Sequence, residues 1–437
     1  MTPARLVSLL LSDRPERQFI RQRQGTLDTG RFLALARSLA AQLPDSPAAV
    51  NLCERRDHFL IAFAAMLMRK QSCVLPPSRV PAVVGEVMAE HPGCYTVDDA
   101  FVECVRGGCD VAPMPQVDAA QVAVIGYTSG STGGPKPNPK TWGGFAASTA
   151  LNLARLQDVQ PATQRERQSW IVATVPPQHM YGMELSVLMP LLGGMGIHAG
   201  HPLYPADIAA ALMEVPEPRI LVSTPVHLRA LLESGVDLPK MQTVVSATAP
   251  LSGDIAKAIE TRFDTVLLEF FGSTETCVFA SRRTAIEDAW LRHPGVSLQP
   301  QDGGTLINAP WFHLPVLLHD IVDVRADGSF TVLGRSADIV EVAGKRASLA
   351  DLTRRLMAIP GVTDAVVFQP DESGIATVRR LAALVVARDL TESEILARLA
   401  AAVDPAFLPR PLLRVPRLPR NGVGKLPRAE LLGALKR

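Results

Sequence analysis

Tyr127-Thr128-Ser129-Gly130-Ser131-Thr132-Gly133-Gly134-Pro135-Lys136 follows the apolar, β-prone run Val122-Ala123-Val124-Ile125. The stretch holds four Ser/Thr hydroxyls, three glycines and a lysine. A strand running into such a loop presents backbone N–H groups and hydroxyls to an anion, because glycine lacks the Cβ that blocks close approach. Lys136 adds a flexible point charge, and the ligand this chemistry suits is a polyphosphate. A Walker P-loop is excluded by spacing. It needs Gly-Lys-Ser/Thr five places after its first glycine, whereas Pro135 stands five places after Gly130 and Pro137 follows Lys136. A solvated Ser/Gly linker accounts for the polarity but for neither the lysine nor the strand.

The chain has 437 residues, enough for two or more folding units. It is 47% hydrophobic and 20% charged, with a net charge of +1, the balance of a soluble globular protein with an ample core. Near-neutrality argues against nucleic acid or an anionic membrane as a general partner. No secretory signal is read at Met1-Thr2-Pro3-Ala4-Arg5, and the apolar run from Phe59 to Met68 is too short to span a bilayer. It reads as a buried helix. The six cysteines form no CxxC pair and read as reduced thiols of a cytoplasmic protein.

Strands and helices alternate through residues 1 to about 115, an α/β pattern. Residues 147–156 read as a helix whose N-terminus would add its dipole to anion binding. The strand Trp170–Val175 runs into Pro176-Pro177-Gln178-His179-Met180-Tyr181-Gly182, where a lone histidine is more often structural than functional. Glu184 opens the apolar helix to Leu192, where an acid in the first turn complements the dipole. The strand Val266-Leu267-Leu268-Glu269 ends in Phe270-Phe271-Gly272-Ser273-Thr274-Glu275. Such a turn can stack a base on the ring, bind a phosphate through a hydroxyl and hold Mg²⁺ through a carboxylate. Asp320 and Arg335 flank a hairpin whose turn is Asp327-Gly328. Ser393 reads as a cap for the helix from Thr391 to Val403. Near the end, Lys425 stands in Pro419-Arg420-Asn421-Gly422-Val423-Gly424-Lys425-Leu426-Pro427-Arg428, which alone is a basic surface turn.

In series, these stretches resemble the adenylate-forming superfamily: acyl- and aryl-CoA ligases, peptide-synthetase adenylation domains and luciferase. The first resembles its phosphate loop, YTSGSTGxPK, and Pro176–Gly182 its PxxHxxG turn. Val245-Ser246-Ala247-Thr248-Ala249-Pro250-Leu251-Ser252 is similar to SGGAPLS, and Phe271–Glu275 to YGxTE, with Phe271 in the tyrosine place. Asp320 and Arg335 stand at the spacing of TGD and GR, Ile339–Arg346 resembles IKxxGxRI, and the final turn resembles PRxxxGKxxR. The resemblance covers nearly the whole chain. It implies a large α/β N-terminal domain of layered sheets and helices with a reduced β-barrel part, residues 1–335, and a small mobile α+β lid, residues 336–437.

The resemblance also implies the site. ATP would lie on Thr128, Ser129, Gly130, Ser131, Thr132, Gly133 and Lys136, with Phe271, Gly272 and Ser273 near the base and Asp320 and Arg335 on the ribose. Thr274 would contact the α-phosphate, Glu275 would bind Mg²⁺, and Lys425 would be the catalytic lysine. His179 would border the acid pocket, lined by Tyr181, Gly182, Glu184, Ser246, Ala247 and Thr248, and Ala337 would be the hinge. Several positions depart from the pattern. Ala247-Thr248 replaces glycines, Leu318-His319 replaces Thr-Gly, and Ala337 replaces the usual Asp or Lys. No GELxxxG segment is found between Glu275 and Asp320, where Gly304–Asn308 reads as its remnant.

The implied activity is ATP-dependent activation of a small carboxylic acid to an acyl-adenylate, then transfer to the thiol of CoA or of a phosphopantetheine-bearing acyl carrier protein. The compact length and His179–Ser186 most resemble the short ligases of aryl-polyene and xanthomonadin-type pathways, implying an aromatic acid such as a hydroxybenzoate. A fatty acid is the alternative, and an amino acid rests on Glu184 pairing with an α-amine. A different class, a non-catalytic nucleotide-binding relative, is favoured by Ala247-Thr248 and Ala337. Lys136, Glu275, Asp320, Arg335 and Lys425 oppose it.

Overall fold

The computed structural model describes residues 5–11, 14–107, 112–128, 136–160, 167–312, 314–335, 339–342, 345–370, 380–420 and 426–435. The chain divides into two units, Met1–Val296 with Ala309–Leu314, and Ser297–Asn308 with Pro315–Arg437. The expected α/β class with a smaller C-terminal part is what the strands and helices form.

The first unit holds a five-stranded and a nine-stranded sheet, beside the short antiparallel pair Leu6–Ser8 with Gln116–Asp118. In the five-stranded sheet the order is Tyr95–Val97, Ala48–Asn51, Ser72–Leu75, Val122–Thr128, Lys136–Thr141, parallel except for the last strand. In the nine-stranded sheet six central strands are parallel: Val266–Ser273, Thr243–Ser246, Arg219–Ser223, Trp170–Ala173, Gly196–His198 and Gln18–Gln22. Cys277–Arg282, Leu291–Arg292 and Gly25–Asp28 complete its edges as antiparallel strands.

The central strands are apolar throughout because both faces of the sheet are covered. Their side chains alternate between two cores. Ile171, Ile220, Val222, Val245 and Leu268 enter one, with the helix Arg56–Met68. Trp170, Val172, Leu221, Val244 and Leu267 enter the other, against the helices Pro205–Glu214, Pro225–Ser234 and Gly253–Phe263. From Arg56 to Leu67 every residue is buried, so this helix is apolar nearly all round, as an interior helix must be. No described helix is long and apolar enough to cross a membrane.

The helix expected over 147–156 is longer and begins at Trp142. The phosphate strand does not feed directly into a helix. Lys136–Thr141 first runs back along it, with Lys136 opposite Thr128 and Thr141 opposite Val122. Only then does the helix Trp142–Asp158 start, capped by Thr141 Oγ1 accepting from the Gly144 N–H at 3.1 Å. At about 3.4 Å per residue its N-terminus is about 20 Å from Thr128. A helix dipole acts over its first turn, so this one does not reach Thr128.

In the second unit, Ser297–Gln301, Gly304–Asn308 and Val316–Leu318 form a three-stranded antiparallel sheet. The expected remnant strand is therefore the middle of a small sheet. A Cβ on Gly304 would lie 2.2 Å from the Leu318 carbonyl oxygen, so only glycine permits this pairing. Asp320–Val324 and Phe330–Arg335 form the expected hairpin, with Gly328 at φ +80° in its turn. Val362–Phe368, Ala382–Ala387 and Leu412–Arg414 make a further sheet, packed with the helices Leu349–Met357 and Glu392–Ala400. The cap of the latter helix is Thr391, in a capping box with Glu394, and not Ser393.

Candidate active site

The carboxyl ends of parallel strands are where open α/β sheets place their ligands. At that edge of the large sheet, Trp170–Ala173, Thr243–Ser246 and Val266–Ser273 run into the histidine turn, the Ala247-Thr248 turn and the Gly272–Thr276 turn. The phosphate strand meets them at Gly126. A Cβ there would come within 3.1 Å of both Met180 Cε and Thr274 Cγ2. The absent side chain lets three stretches far apart in sequence touch. Thr128 ends the phosphate strand and Lys136 opens the next with its side chain exposed. Ser129, Gly130, Ser131, Thr132 and Gly133 lie outside the described residues.

The histidine turn is tight. His179 N–H donates to the Pro176 carbonyl at 3.3 Å, and a Cβ on Gly182 would lie 2.0 Å from that same oxygen. His179 itself is exposed at the start of the helix Met180–Met183. Beneath it, the fully buried Arg56 donates to the carbonyls of Ala173 and Val175 at 3.1 and 2.8 Å, and to Ser186 Oγ. Burial without a counter-ion pushes its guanidinium down to about 9. Tyr181 is buried, and its hydroxyl is shared between the Ser223 and Val245 carbonyls at 3.0 and 3.1 Å. Burial raises its pKa well above the usual tyrosine value.

Glu184 is not in a first helical turn, as expected, but in a π-helical turn, Glu184–Leu188. It is buried, and both carboxylate oxygens accept from the Val278 N–H, at 3.0 and 3.1 Å. Asn152 Nδ2 lies 3.4 Å from Oε2, and Asn152 Oδ1 lies 2.9 Å from His293 Nε2. Burial pushes the Glu184 carboxyl up to about 7, opposed by the Val278 N–H and the nearby Lys140. Its helix-dipole role is thus replaced by a contact with another strand.

Phe271 is half-buried, its ring 5.0 Å from that of Trp290 and 5.4 Å from that of Phe279. A Cβ on Gly272 would lie 2.2 Å from the Cys277 carbonyl oxygen, so the hairpin requires glycine. Ser273 and Thr276 lock the turn reciprocally: Ser273 N–H donates to Thr276 Oγ1 at 3.0 Å and Thr276 N–H to Ser273 Oγ at 3.3 Å. Thr274 and Glu275 project half-buried between them. Lys140 Nζ donates to the Glu275 main-chain carbonyl. The Glu275 carboxylate itself makes no hydrogen bond or ion pair among the described residues. Those residues contain no group of three or more His, Cys, Asp or Glu suited to a metal. A single free carboxylate fits Mg²⁺ that arrives on a polyphosphate, since Mg²⁺ keeps few protein ligands.

Ser246 Oγ is buried with no hydrogen-bond partner among the described residues. Ala247 is buried, and the exposed Thr248 sits at φ +81°, a conformation suited to glycine. In the second unit, Asp320 is buried and lies directly opposite Arg335 in its hairpin, its carbonyl accepting from Thr305 Oγ1 at 2.8 Å. Ala337 and Lys425 lie outside the described residues. Arg420 donates to Asp364 at 2.8 and 3.1 Å.

Lys140, Arg56 and Thr276 were missed in the sequence, as were two rim histidines. His201 Nε2 lies 2.9 Å from the Thr174 carbonyl, and His227 Nδ1 2.9 Å from Thr224 Oγ1. Burial lowers the pKa of both. Thr276 alone left a signal, as the hydroxyl after Ser-Thr-Glu.

The comparisons agree with this geometry. Residues 34–302 match the family described as AMP-binding enzyme, more than half of the chain. A 4-coumarate–CoA ligase of Rhodobacter capsulatus is 29% identical over 235 residues, covering 54% of this chain and 57% of that protein. One from Cereibacter sphaeroides is 28% identical over 305 residues, covering 68% of this chain and 69% of that protein. The fold is similar to the o-succinylbenzoate CoA synthetase of Bacillus subtilis solved with its acyl-adenylate intermediate, at a TM-score of 0.80 and 16% identity over 96% of both chains. Matched over its phosphate strand, histidine turn and carboxylate turn, the chain belongs to the AMP-binding enzyme family.

Proposed function

We propose that this chain joins a small carboxylic acid, of the aromatic class, to a thiol through an acyl-adenylate. The observation that carries the reading is the meeting of the phosphate strand, the histidine turn and Thr274 across Gly126. A carboxylate is a poor nucleophile toward ATP because both are anions and must align. Lys136 at the phosphate loop, the Thr274 hydroxyl and Lys425 place donors and cations around the α-phosphate. Mg²⁺ held by Glu275 supplies further neutralisation of the triphosphate charge. The acid's oxygen then attacks the α-phosphorus, and pyrophosphate leaves. In the second step the thiol sulfur of CoA, or of a carrier protein's phosphopantetheine, attacks the activated carbonyl and AMP leaves. Asp320 and Arg335 hold the ribose, and residues 336–437 act as the lid carrying Lys425, turning at Ala337.

Two features support an aromatic acid. The two ligase relatives are named for 4-coumarate. Ser246 Oγ is a buried hydroxyl free to bond a polar ring substituent. An amino acid is disfavoured because Glu184 is buried and already partnered by the Val278 N–H and Asn152. Five free cysteines among the described residues suit a reducing cytoplasm.

ATP–pyrophosphate exchange against aromatic, fatty and amino acids tests this. Exchange with hydroxybenzoate-type acids is the expected result. Exchange with fatty acids alone would reassign the pocket, and silence with ATP still bound would mark a non-catalytic relative. Lys425→Ala should block exchange far more than thiol transfer from preformed adenylate; equal loss in both steps would remove Lys425 from its role.

A further inference from the structure

Two side chains that the proposed chemistry leaves unused hold the main chain at Glu275 and just after it, at Val278. Lys140 comes from the strand that leaves the phosphate loop, four residues after Lys136, and its ammonium binds the Glu275 carbonyl. Glu184 comes from the π-helical turn after the histidine turn, and its carboxylate binds the Val278 N–H. The backbone of the hairpin that carries these two points is unusual. Cys277 is buried at φ +58°, and the hairpin register slips between Phe271 and Gly272. A turn with both features does not hold its own shape through ladder hydrogen bonds alone. Charged partners make the stronger hydrogen bonds, and here one of each sign grips a main-chain group. Glu184 is itself oriented by Asn152, which is in turn held by His293.

We propose that Lys140 and Glu184 are positioning residues for the metal carboxylate: they pin the Thr274–Val278 turn so that Glu275 is preset to receive Mg²⁺ carried on ATP. This rests on the acid-activating reading above, in which Glu275 is the magnesium ligand. Partners that orient a metal ligand without touching the metal set its affinity by about 10–100-fold. Lys140 also shares a strand with Lys136, so one strand carries both the phosphate-loop lysine and the contact to Glu275.

The test uses the full chain and calorimetry of ATP binding with Mg²⁺ and with EDTA, beside exchange kinetics across Mg²⁺ concentration. Lys140→Met should cut the Mg²⁺-dependent gain in ATP affinity by about tenfold and raise the Mg²⁺ needed for half-maximal exchange by a similar factor. ATP affinity in EDTA and the KM for the acid should stay within about twofold of the parent. Lys140→Arg, which keeps the cation, should recover most of the loss and covers the case in which Lys140→Met does not fold. Glu184→Gln should shift the same readouts in the same direction. Unchanged Mg²⁺ dependence in folded Lys140→Met and Glu184→Gln overturns the proposal. So does a tenfold rise in acid KM for Glu184→Gln alone, which would make Glu184 a pocket residue. A parent chain that binds ATP with Mg²⁺ yet exchanges with no acid would instead sink the adenylation reading, and the calorimetry would still decide this one.

Discussion

Two neighbouring strands of the large sheet end in turns built on opposite plans. After Val266–Ser273 the chain is gripped from all sides: Gly272 fits against the Cys277 carbonyl, Ser273 and Thr276 bond each other, and Lys140 and Glu184 hold the main chain. After Thr243–Ser246 the chain carries a threonine at φ +81° that makes no hydrogen bond among the described residues. The pinned turn bears the groups assigned to ATP and Mg²⁺, which every turnover presents identically. The strained turn borders the pocket assigned to the acid, the part that differs from one enzyme of this kind to another. The more heavily hydrogen-bonded turn is the one proposed to meet the constant ligand.

The contrast can be broken most severely at Gly272. Gly272→Ala puts a methyl into backbone atoms that have nowhere to go, so urea unfolding should show a loss of more than about 3 kcal/mol. A loss under about 1 kcal/mol would mean that the hairpin opens easily and is not pinned.

The next effect is smaller and depends on pH. Glu184 titrates at about 7 in the folded chain against an ordinary 4.5, so the folded state binds its proton more tightly than the unfolded state. Its contribution is therefore fully present below 4.5 and falls away as pH rises through about 7. Gln mimics the protonated carboxyl. Glu184→Gln should gain stability relative to the parent between pH 5 and pH 8, by about 2–3 kcal/mol at most. A stability difference that stays flat with pH would show that Glu184 is ionised throughout.

The smallest effect belongs to the strained turn. Thr248→Gly relieves about 1–2 kcal/mol of left-handed strain but adds about 0.5–1 kcal/mol of unfolded-state entropy, leaving a gain of about 0–1.5 kcal/mol. The same unfolding titration checks it. A clear loss would mean that the threonine side chain holds the turn by packing.

Much of the architecture was legible because it is local. Apolar runs marked the covered strands, and Asp327-Gly328 marked the turn that sets Asp320 opposite Arg335. The glycine and hydroxyl turns marked the nucleotide edge. Thr391 was legible too, as Thr-x-x-Glu, and was passed over for Ser393. The small sheet between Glu275 and Asp320 was hidden because its family signature is missing while its backbone pairing survives.

The order of motifs, the alternation of strands and helices and the chemistry of each turn follow from residues a few places apart, and the sequence by itself determined them. What only the tertiary structure decided is which distant groups share a burial site. Lys140 finds Glu275 across 135 residues, Glu184 finds Val278 across 94, and Arg56 finds Ala173 across 117. An acid in a solvated first turn and an acid sealed against a strand N–H have the same letter in the chain. They differ in the water they lose and the partner they gain, and packing sets both.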